Sequence, residues 1–156
     1  MAGTGSGFVP DKALHALGFE YTLVTGDEVV GRLAVTDTCC QPFKMLNGGV
    51  SALMAESAAS IGGYVASGGK RVAGVQLSIN HVRAARLGDR VEARAKPVHA
   101  GRTIQVWEVQ IWLMDPTTSE RTTLVSTARV TLSVSRLPMP EQMKSFDEGI
   151  KKYARL

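Results

Sequence analysis

The segment that decides the fold is residues 41–64, which read QPFKMLNGGVSALMAESAASIGGY. Its second part has the small, apolar composition of a buried α-helix, and Asn47 is a residue type that caps helix N-termini. After Lys44, Glu56 is the only charged side chain in the segment. A single carboxylate in so apolar a helix indicates either a functional site or an exposed surface position.

A helical wheel favours a functional site around Glu56 over an exposed surface position. At about 100° per residue, Gly49, Ala52, Ser60 and Gly63 fall in one stripe with Glu56. The large apolar residues fall on the opposite side, which we expect to face a sheet: Val50, Met54, Ile61 and Val65. Solvent-exposed helix faces usually carry long polar side chains. A stripe of Gly, Ala and Ser therefore predicts that a ligand or another subunit packs closely there, and the alternative is a plain surface carboxylate.

The start of this helix has a second chemical feature. The first amides of a helix lack intrahelical acceptors and carry positive partial charge. Gly48 and Gly49 leave them accessible to a group outside the backbone. A carbonyl oxygen that gains negative charge would be stabilised at such amides. Ser60, one turn after Glu56, is within reach of that carboxylate or of a water between the two.

The remainder of the chain is mainly strand. Alternating apolar and polar residues predict half-buried antiparallel strands at 19–24, 28–35, 72–82, 90–98, 103–114 and 121–134, with a short helix at 11–17 and a polar one at 141–153. The economical packing is an α+β domain in which an antiparallel sheet curls around the apolar helix. We assign residues 1–10 to a flexible N-terminus, 11–137 to the domain and 138–156 to a C-terminal helix and tail. Asp147 is expected on the exposed side of that last helix.

Composition excludes several classes of protein. The 156 residues fit one domain, and the net charge of +4 is scattered, with too few aromatics (6%) for a nucleic-acid binder. Cys39 and Cys40 are adjacent, which disfavours a disulfide and suggests a reducing compartment. The three histidines are isolated, so no metal site is expected. No apolar run approaches 18 residues, so no membrane span is expected.

The last three residues of the sequence are Ala154-Arg155-Leu156. They have the small–basic–Leu form of the Ser-Lys-Leu address that the peroxisomal import receptor binds. A peroxisomal location is therefore expected, and the alternative is an ordinary frayed tail.

The motifs QPF, NGGV and AESAAS of residues 41–60 resemble the central helix of the hotdog-fold acyl-CoA thioesterases, of the 4-hydroxybenzoyl-CoA thioesterase type. Residues 77–83 (LSINHVR) and 99–102 (HAGR) are also similar to that family. The resemblance covers roughly residues 19–134. It implies a hotdog fold and hydrolysis of an aromatic acyl-CoA, and with the C-terminal tripeptide it implies 1,4-dihydroxy-2-naphthoyl-CoA of phylloquinone synthesis as the substrate.

The resemblance also implies roles for individual residues. Glu56 would be the catalytic carboxylate, either as nucleophile or as general base, and Ser60 would position it or the water. The amide of Gly48 would polarise the thioester oxygen, and Gln41 would orient the thioester or water. Asn47 stands where the family commonly has His, which keeps the helix cap but removes any role of an imidazole.

The family implies no cofactor besides the coenzyme A of the substrate, and it implies dimers or dimers of dimers with interfacial sites. The residues expected to bind substrate or CoA are Asn47, Gly49, Arg83, Gly101 and Arg102, with the two arginines directed at phosphates. A solvated arginine at a strand end is the alternative for each. A broad-specificity acyl-CoA thioesterase and a non-catalytic acyl-CoA-binding module on the same fold are the alternative functions. His81 and His99 are expected to be structural.

Overall fold

Six antiparallel strands curl around one long helix in the computed structural model, which describes residues 7–154. The helices are α1 Lys12–Ala16, α2 Gly48–Ala66 and α3 Lys144–Tyr153, and short 3₁₀ turns occupy Asp37–Cys39 and Glu141–Met143. The strands are β1 Glu20–Val24, β2 Val29–Ala34, β3 Val72–His81, β4 Arg90–Ala100, β5 Ile104–Met114 and β6 Arg121–Val134. The order in the sheet is β1-β2-β4-β5-β6-β3. The predicted α+β class, with a sheet around the apolar helix, is confirmed.

The third strand lies at an edge of the sheet. It pairs with β6 from Val72 to His81, and its other edge has no strand partner within residues 7–154. Val75 on this strand and Val82 just beyond it are 58% and 53% exposed. An unpaired edge with exposed valines is a surface on which another strand can pair.

The long helix presents its smallest residues to the sheet at its C-terminal half. A Cβ added to Gly62 would lie 2.5 Å from the Trp107 ring, and one added to Gly63 would lie 2.5 Å from Leu132. The wheel was therefore wrong about Gly63, which is buried against the sheet rather than on the face of Glu56. The bulky residues at this contact come from the strands, so the helix must carry small side chains here.

The C-terminal helix packs on the same core. Ile150 is fully buried, and the Phe146 ring meets the Tyr64 ring of α2 edge-on, with the centroids 5.4 Å apart. The expectation that Asp147 is exposed is wrong, because its carboxylate accepts a hydrogen bond from the Tyr64 hydroxyl. Phe8 packs against Phe146, while residues 1–6, Arg155 and Leu156 lie outside the described residues.

Candidate active site

The carboxylate of Glu56 lies where α2 passes the start of β3. It rests against Gly74, at which an added Cβ would come within 3.0 Å of Oε1 and to 3.2 Å from Cδ. Directly after Gly74, the pairing of β3 with β6 is interrupted by a bulge. Ser60 lies one helical turn beyond Glu56, and both line a cavity of about 350 Å³, which we call the carboxylate pocket.

The carboxylate pocket is mainly apolar. Its other lining residues are Pro10, Asp11, Leu53, Ser57, Ile61, Tyr64, Arg71, Val72, Met139, Met143 and Phe146. The Ser57 hydroxyl is hydrogen-bonded to the buried Tyr21 hydroxyl at 2.6 Å. Burial raises the pKa of the Tyr21 phenol, so this polar pair is uncharged at neutral pH. The pocket thus combines a few charged side chains and hydroxyls, Glu56 among them, with a mainly apolar wall, as a site for an apolar acyl group requires.

A second cavity, of about 390 Å³, lies at the N-terminal end of α2, and we call it the amide pocket. Its lining includes Gln41, Gly48, Ser51, His81 and Arg83. The His81 ring contacts Gly48, since a Cβ there would be 3.0 Å from Nε2. Its Nδ1 is 3.2 Å from the hydroxyl of the buried Ser126, which holds the ring in place. The structure therefore places an imidazole beside the predicted oxyanion amide, although the sequence predicted only a structural role for it.

The start of α2 leaves one amide available. Asn47 caps the helix as predicted, with its Oδ1 accepting from the Gly49 amide at 2.8 Å. The backbone carbonyl of Asn47 accepts from the amides of Val50 and Ser51. The Gly48 amide takes part in none of the hydrogen bonds found among residues 7–154. It is the amide that can donate to a substrate carbonyl oxygen.

Gln41 is held in a tight loop before the helix. Its backbone amide donates to the Met45 carbonyl at 2.8 Å, and its side-chain oxygen accepts from the Phe43 amide. Lys44 in this loop has a positive φ of 61°. Because the side-chain oxygen already accepts a hydrogen bond, the side-chain NH₂ group of Gln41 is the group that can donate into the amide pocket.

The predicted catalytic residues fall into two groups on one chain. Glu56 and Ser60 line the carboxylate pocket, Gln41 and Gly48 line the amide pocket, and no lining residue is shared between these two cavities. Gly48 and Glu56 are eight residues apart on α2, or about 12 Å along its axis at 1.5 Å per residue. One chain therefore does not bring the carboxylate to the amide that would polarise the thioester.

The predicted phosphate-binding arginines are also far apart. Arg83 lines the amide pocket, just beyond the end of β3. Gly101 and Arg102 lie in the turn between β4 and β5, at the other end of the sheet, and neither lines the two pockets described above. Gly49 is exposed at the helix start and likewise lines neither of them.

Across residues 7–154, no three His, Cys, Asp or Glu side chains cluster as ligands of a metal ion would. In the same part of the chain, no helix has the length and apolarity needed to cross a membrane.

Comparison with known proteins identifies the family. Residues 43–120 match the family model described as the thioesterase superfamily. The chain is also 49% identical to "1,4-dihydroxy-2-naphthoyl-CoA thioesterase 2" of Arabidopsis thaliana, over 93% of this chain and 92% of that protein. The chain belongs to the thioesterase superfamily.

Two further similar proteins are also named as a hydrolase or a thioesterase. A "1,4-dihydroxy-2-naphthoyl-CoA hydrolase" of Escherichia coli K12 is 34% identical over 79% of this chain and 93% of its own length. The crystal structure of a thioesterase from Haemophilus influenzae matches with a TM-score of 0.69 and 36% identity, covering 84% of this chain and 87% of that one. The predicted hotdog fold is confirmed, and the chain is a thioesterase by family.

Sequence reasoning missed part of the thioesterase pocket. Met139, Met143 and Phe146 line the carboxylate pocket, although the sequence placed them in a separate C-terminal region. A signal was available in the apolar stripe that Met143, Phe146 and Ile150 form on a polar helix. Such a stripe predicts that the helix packs on something, but it does not say on what.

Proposed function

We propose that this thioesterase hydrolyses an aromatic acyl-CoA, with 1,4-dihydroxy-2-naphthoyl-CoA of phylloquinone synthesis as its substrate. The observation that carries the proposal is the carboxylate pocket, in which Glu56 and Ser60 open into an apolar cavity of about 350 Å³. This volume lies in the range of small-molecule sites, about 300–1,000 Å³. The printed names of the Arabidopsis and Escherichia coli relatives support the substrate.

The proposed chemistry needs few groups, because a thioester carbonyl is electrophilic and a thiolate leaves readily. Glu56 takes a proton from water while the water oxygen bonds to the carbonyl carbon. The Gly48 amide and the Gln41 side chain donate to the carbonyl oxygen as it gains charge. The C–S bond then breaks, the thiolate takes up the proton, and the products are the carboxylic acid and CoA. In the alternative route Glu56 itself attacks, and water hydrolyses the resulting anhydride.

Thiol release from a panel of acyl-CoAs tests the assignment. With Glu56→Gln, which keeps the size but removes the base and nucleophile, we expect a loss of kcat of at least about 100-fold. Equal rates for wild type and variant would refute the role of Glu56. Binding of acyl-CoA without any thiol release would favour the non-catalytic module, and rapid-quench trapping of an acyl-enzyme would distinguish the nucleophile from the base.

We propose that two protomers complete each site by pairing their β3 edges. In an antiparallel pair related by a two-fold axis, the start of one β3 lies beside the end of the other. The carboxylate pocket adjoins the start of β3 through Val72, and the amide pocket adjoins its end through His81. Pairing would therefore bring Glu56 of one protomer toward Gly48 of the other. It would also bring Arg83 of one protomer and Arg102 of the other to the same end of the combined sheet. These two arginines would contact the CoA phosphates there.

Complementation tests this arrangement. Glu56→Gln and Gln41→Ala each inactivate one half of the site, and mixed dimers of the two variants contain one doubly defective and one intact site. Refolding an equal mixture should therefore restore activity well above that of either variant alone. Absence of recovery in mixed dimers confirmed by mass would place each site within a single protomer. A dimer of dimers is compatible with the proposal, and gel filtration with light scattering measures the assembly.

We also propose a peroxisomal location, supported by the tripeptide Ala154-Arg155-Leu156. Fusion of a fluorescent protein after Leu156 should abolish import, whereas fusion before Met1 should preserve it. The same distribution for both fusions would reject the proposal.

A further inference from the structure

One wall of the carboxylate pocket comes from the C-terminal part of the chain. Met139, Met143 and Phe146 line the cavity that also contains Glu56 and Ser60. They lie in the connection after β6, in the 3₁₀ turn Glu141–Met143 and in the first turn of α3. The family model of the thioesterase superfamily matches residues 43–120, so this wall, like β6, lies outside the residues that the model matches.

The wall is fixed to the domain by contacts at several points. The Phe146 ring packs edge-on against Tyr64 and, with centroids 5.9 Å apart, against Phe8. The Asp147 carboxylate accepts from the Tyr64 hydroxyl and forms an ion pair with Lys151, 2.6 Å long.

Two further contacts hold the later turns of α3. Ile150 is fully buried in the core, and the Tyr153 hydroxyl donates to the backbone carbonyl of Tyr21 at 2.9 Å. The helix is therefore docked along its length, which holds its pocket-lining residue Phe146 in place.

The chemistry of this wall suits a flat aromatic group. Methionine side chains are flexible and polarisable, and their sulfur atoms make favourable contacts with aromatic rings. Phe146 adds an aromatic surface that can meet another ring edge-on. All three side chains are only partly buried, so they have contact area free to cover a ligand. A flexible aliphatic chain has no aromatic ring for these side chains to contact, so it gains less from such a wall.

We propose that Met139, Met143 and Phe146 determine which acyl group this thioesterase accepts, by forming a wall that selects a flat aromatic acyl group over a long aliphatic one. The inference rests on the proposed function. All three side chains contact the acyl group, and Phe146 also anchors the wall to Tyr64 of α2. The segment that follows β6 thus sets substrate preference, while Glu56 on α2 supplies the reacting carboxylate.

The test compares kcat/KM for 1,4-dihydroxy-2-naphthoyl-CoA and palmitoyl-CoA in wild type, Met143→Ala and Met139→Ala. Removing one thioether side chain from the wall should shift the ratio of the two constants toward palmitoyl-CoA by about tenfold, as pocket changes of this size do. Gln142→Ala, an exposed neighbour outside the pocket lining, is the matched control and should leave the ratio unchanged. Met143→Trp, which fills the pocket, should reduce turnover of the aromatic substrate without increasing that of palmitoyl-CoA.

The possible results separate the two proposals. A wild type that releases no thiol from any acyl-CoA overturns the proposed function and this inference together. An active wild type whose ratio is unchanged in both alanine variants overturns the wall alone. Thermal unfolding of each variant excludes global damage, and a ratio that changes equally in Gln142→Ala would also refute the wall.

Discussion

Replacing Gly74 by alanine is expected to reduce catalysis through Glu56 while leaving the fold intact. An added Cβ would come within 3.0 Å of the Glu56 Oε1 and to 3.2 Å from Cδ. Restoring ordinary carbon–carbon contacts of about 3.5–4.0 Å moves Cδ by roughly 0.3–0.8 Å, and Oε1, which lies closer to the added Cβ, must move further. A misplacement of about 1 Å can cost 10²-fold in rate, so we expect kcat to fall by about 100-fold, or about 2.7 kcal/mol of transition-state stabilisation.

Stability should change little in this variant. The methyl group would meet the far end of an exposed side chain rather than the backbone or the core. Gly74 is not among the glycines with positive φ in the described residues, so alanine can adopt its backbone conformation. A glycine-to-alanine change of this kind alters the free energy of unfolding by less than about 1 kcal/mol.

Steady-state thiol release and urea unfolding measure the two effects separately. Gly7→Ala, a change of the same type at a position where an added Cβ meets nothing within 4 Å, is the matched control and should retain full activity. In a Glu56→Asp background the shorter side chain no longer reaches the added methyl group, so Gly74→Ala should cost less there than in wild type.

Two results would refute the reasoning about Gly74. The first is an unchanged kcat in a stable Gly74→Ala protein, which would show that the carboxylate tolerates displacement or takes no part in the reaction. The second is additivity of the two substitutions, which would show that the loss does not act through Glu56.

Three further predictions concern the elements that position the site. Gly62→Ala places a methyl group 2.5 Å from the fully buried Trp107 ring. Overpacking should cost about 1–3 kcal/mol of unfolding free energy, and the better helix propensity of alanine should return about 1 kcal/mol. The urea midpoint should therefore fall, and a raised midpoint would contradict this prediction. The ion pair with Lys151 holds the pKa of Asp147 below its usual value. Asp147→Asn should therefore lower the unfolding free energy at pH 7, and the difference from wild type should disappear below about pH 4, where the carboxylate is protonated. A difference in unfolding free energy that does not change with pH would contradict this prediction. Asn47→Ala removes the cap of α2 and should cost about 1 kcal/mol in unfolding free energy, whereas Asn47→Asp should cost much less and equal losses would refute the capping role.

The strands and the central helix could be predicted from the sequence because each has a local signal. Alternation gave the long strands to within two residues at each end, and the Asn47 cap fixed the first residue of α2. Which face of α2 packs against the sheet was harder to predict. A wheel gives angles around an axis, but the side that faces the sheet depends on Trp107 and Leu132, which are distant in the sequence from Gly63.

The composition of the site could be predicted only in part. Glu56 and Ser60 were found together because they are one turn apart, whereas Gln41 and Gly48 lie in another pocket despite their proximity in sequence. The contribution of Met139 and Met143 depends on α3 docking against Tyr64, a contact across about eighty residues whose partner no local pattern specifies. The apolar stripe of α3 indicated docking but gave no information about its target.

With the proposed pairing, the unpaired edge of β3 ties activity to protein concentration. Association and substrate binding are then linked by mass action, so a bound acyl-CoA strengthens the dimer and dilution weakens the site before it unfolds the domain. Specific activity should fall on dilution below the dimer dissociation constant and recover when substrate is added at saturation. An enzyme assembled in this way is active only where its concentration is high enough to form the dimer, which confines its hydrolytic activity to the place where it accumulates.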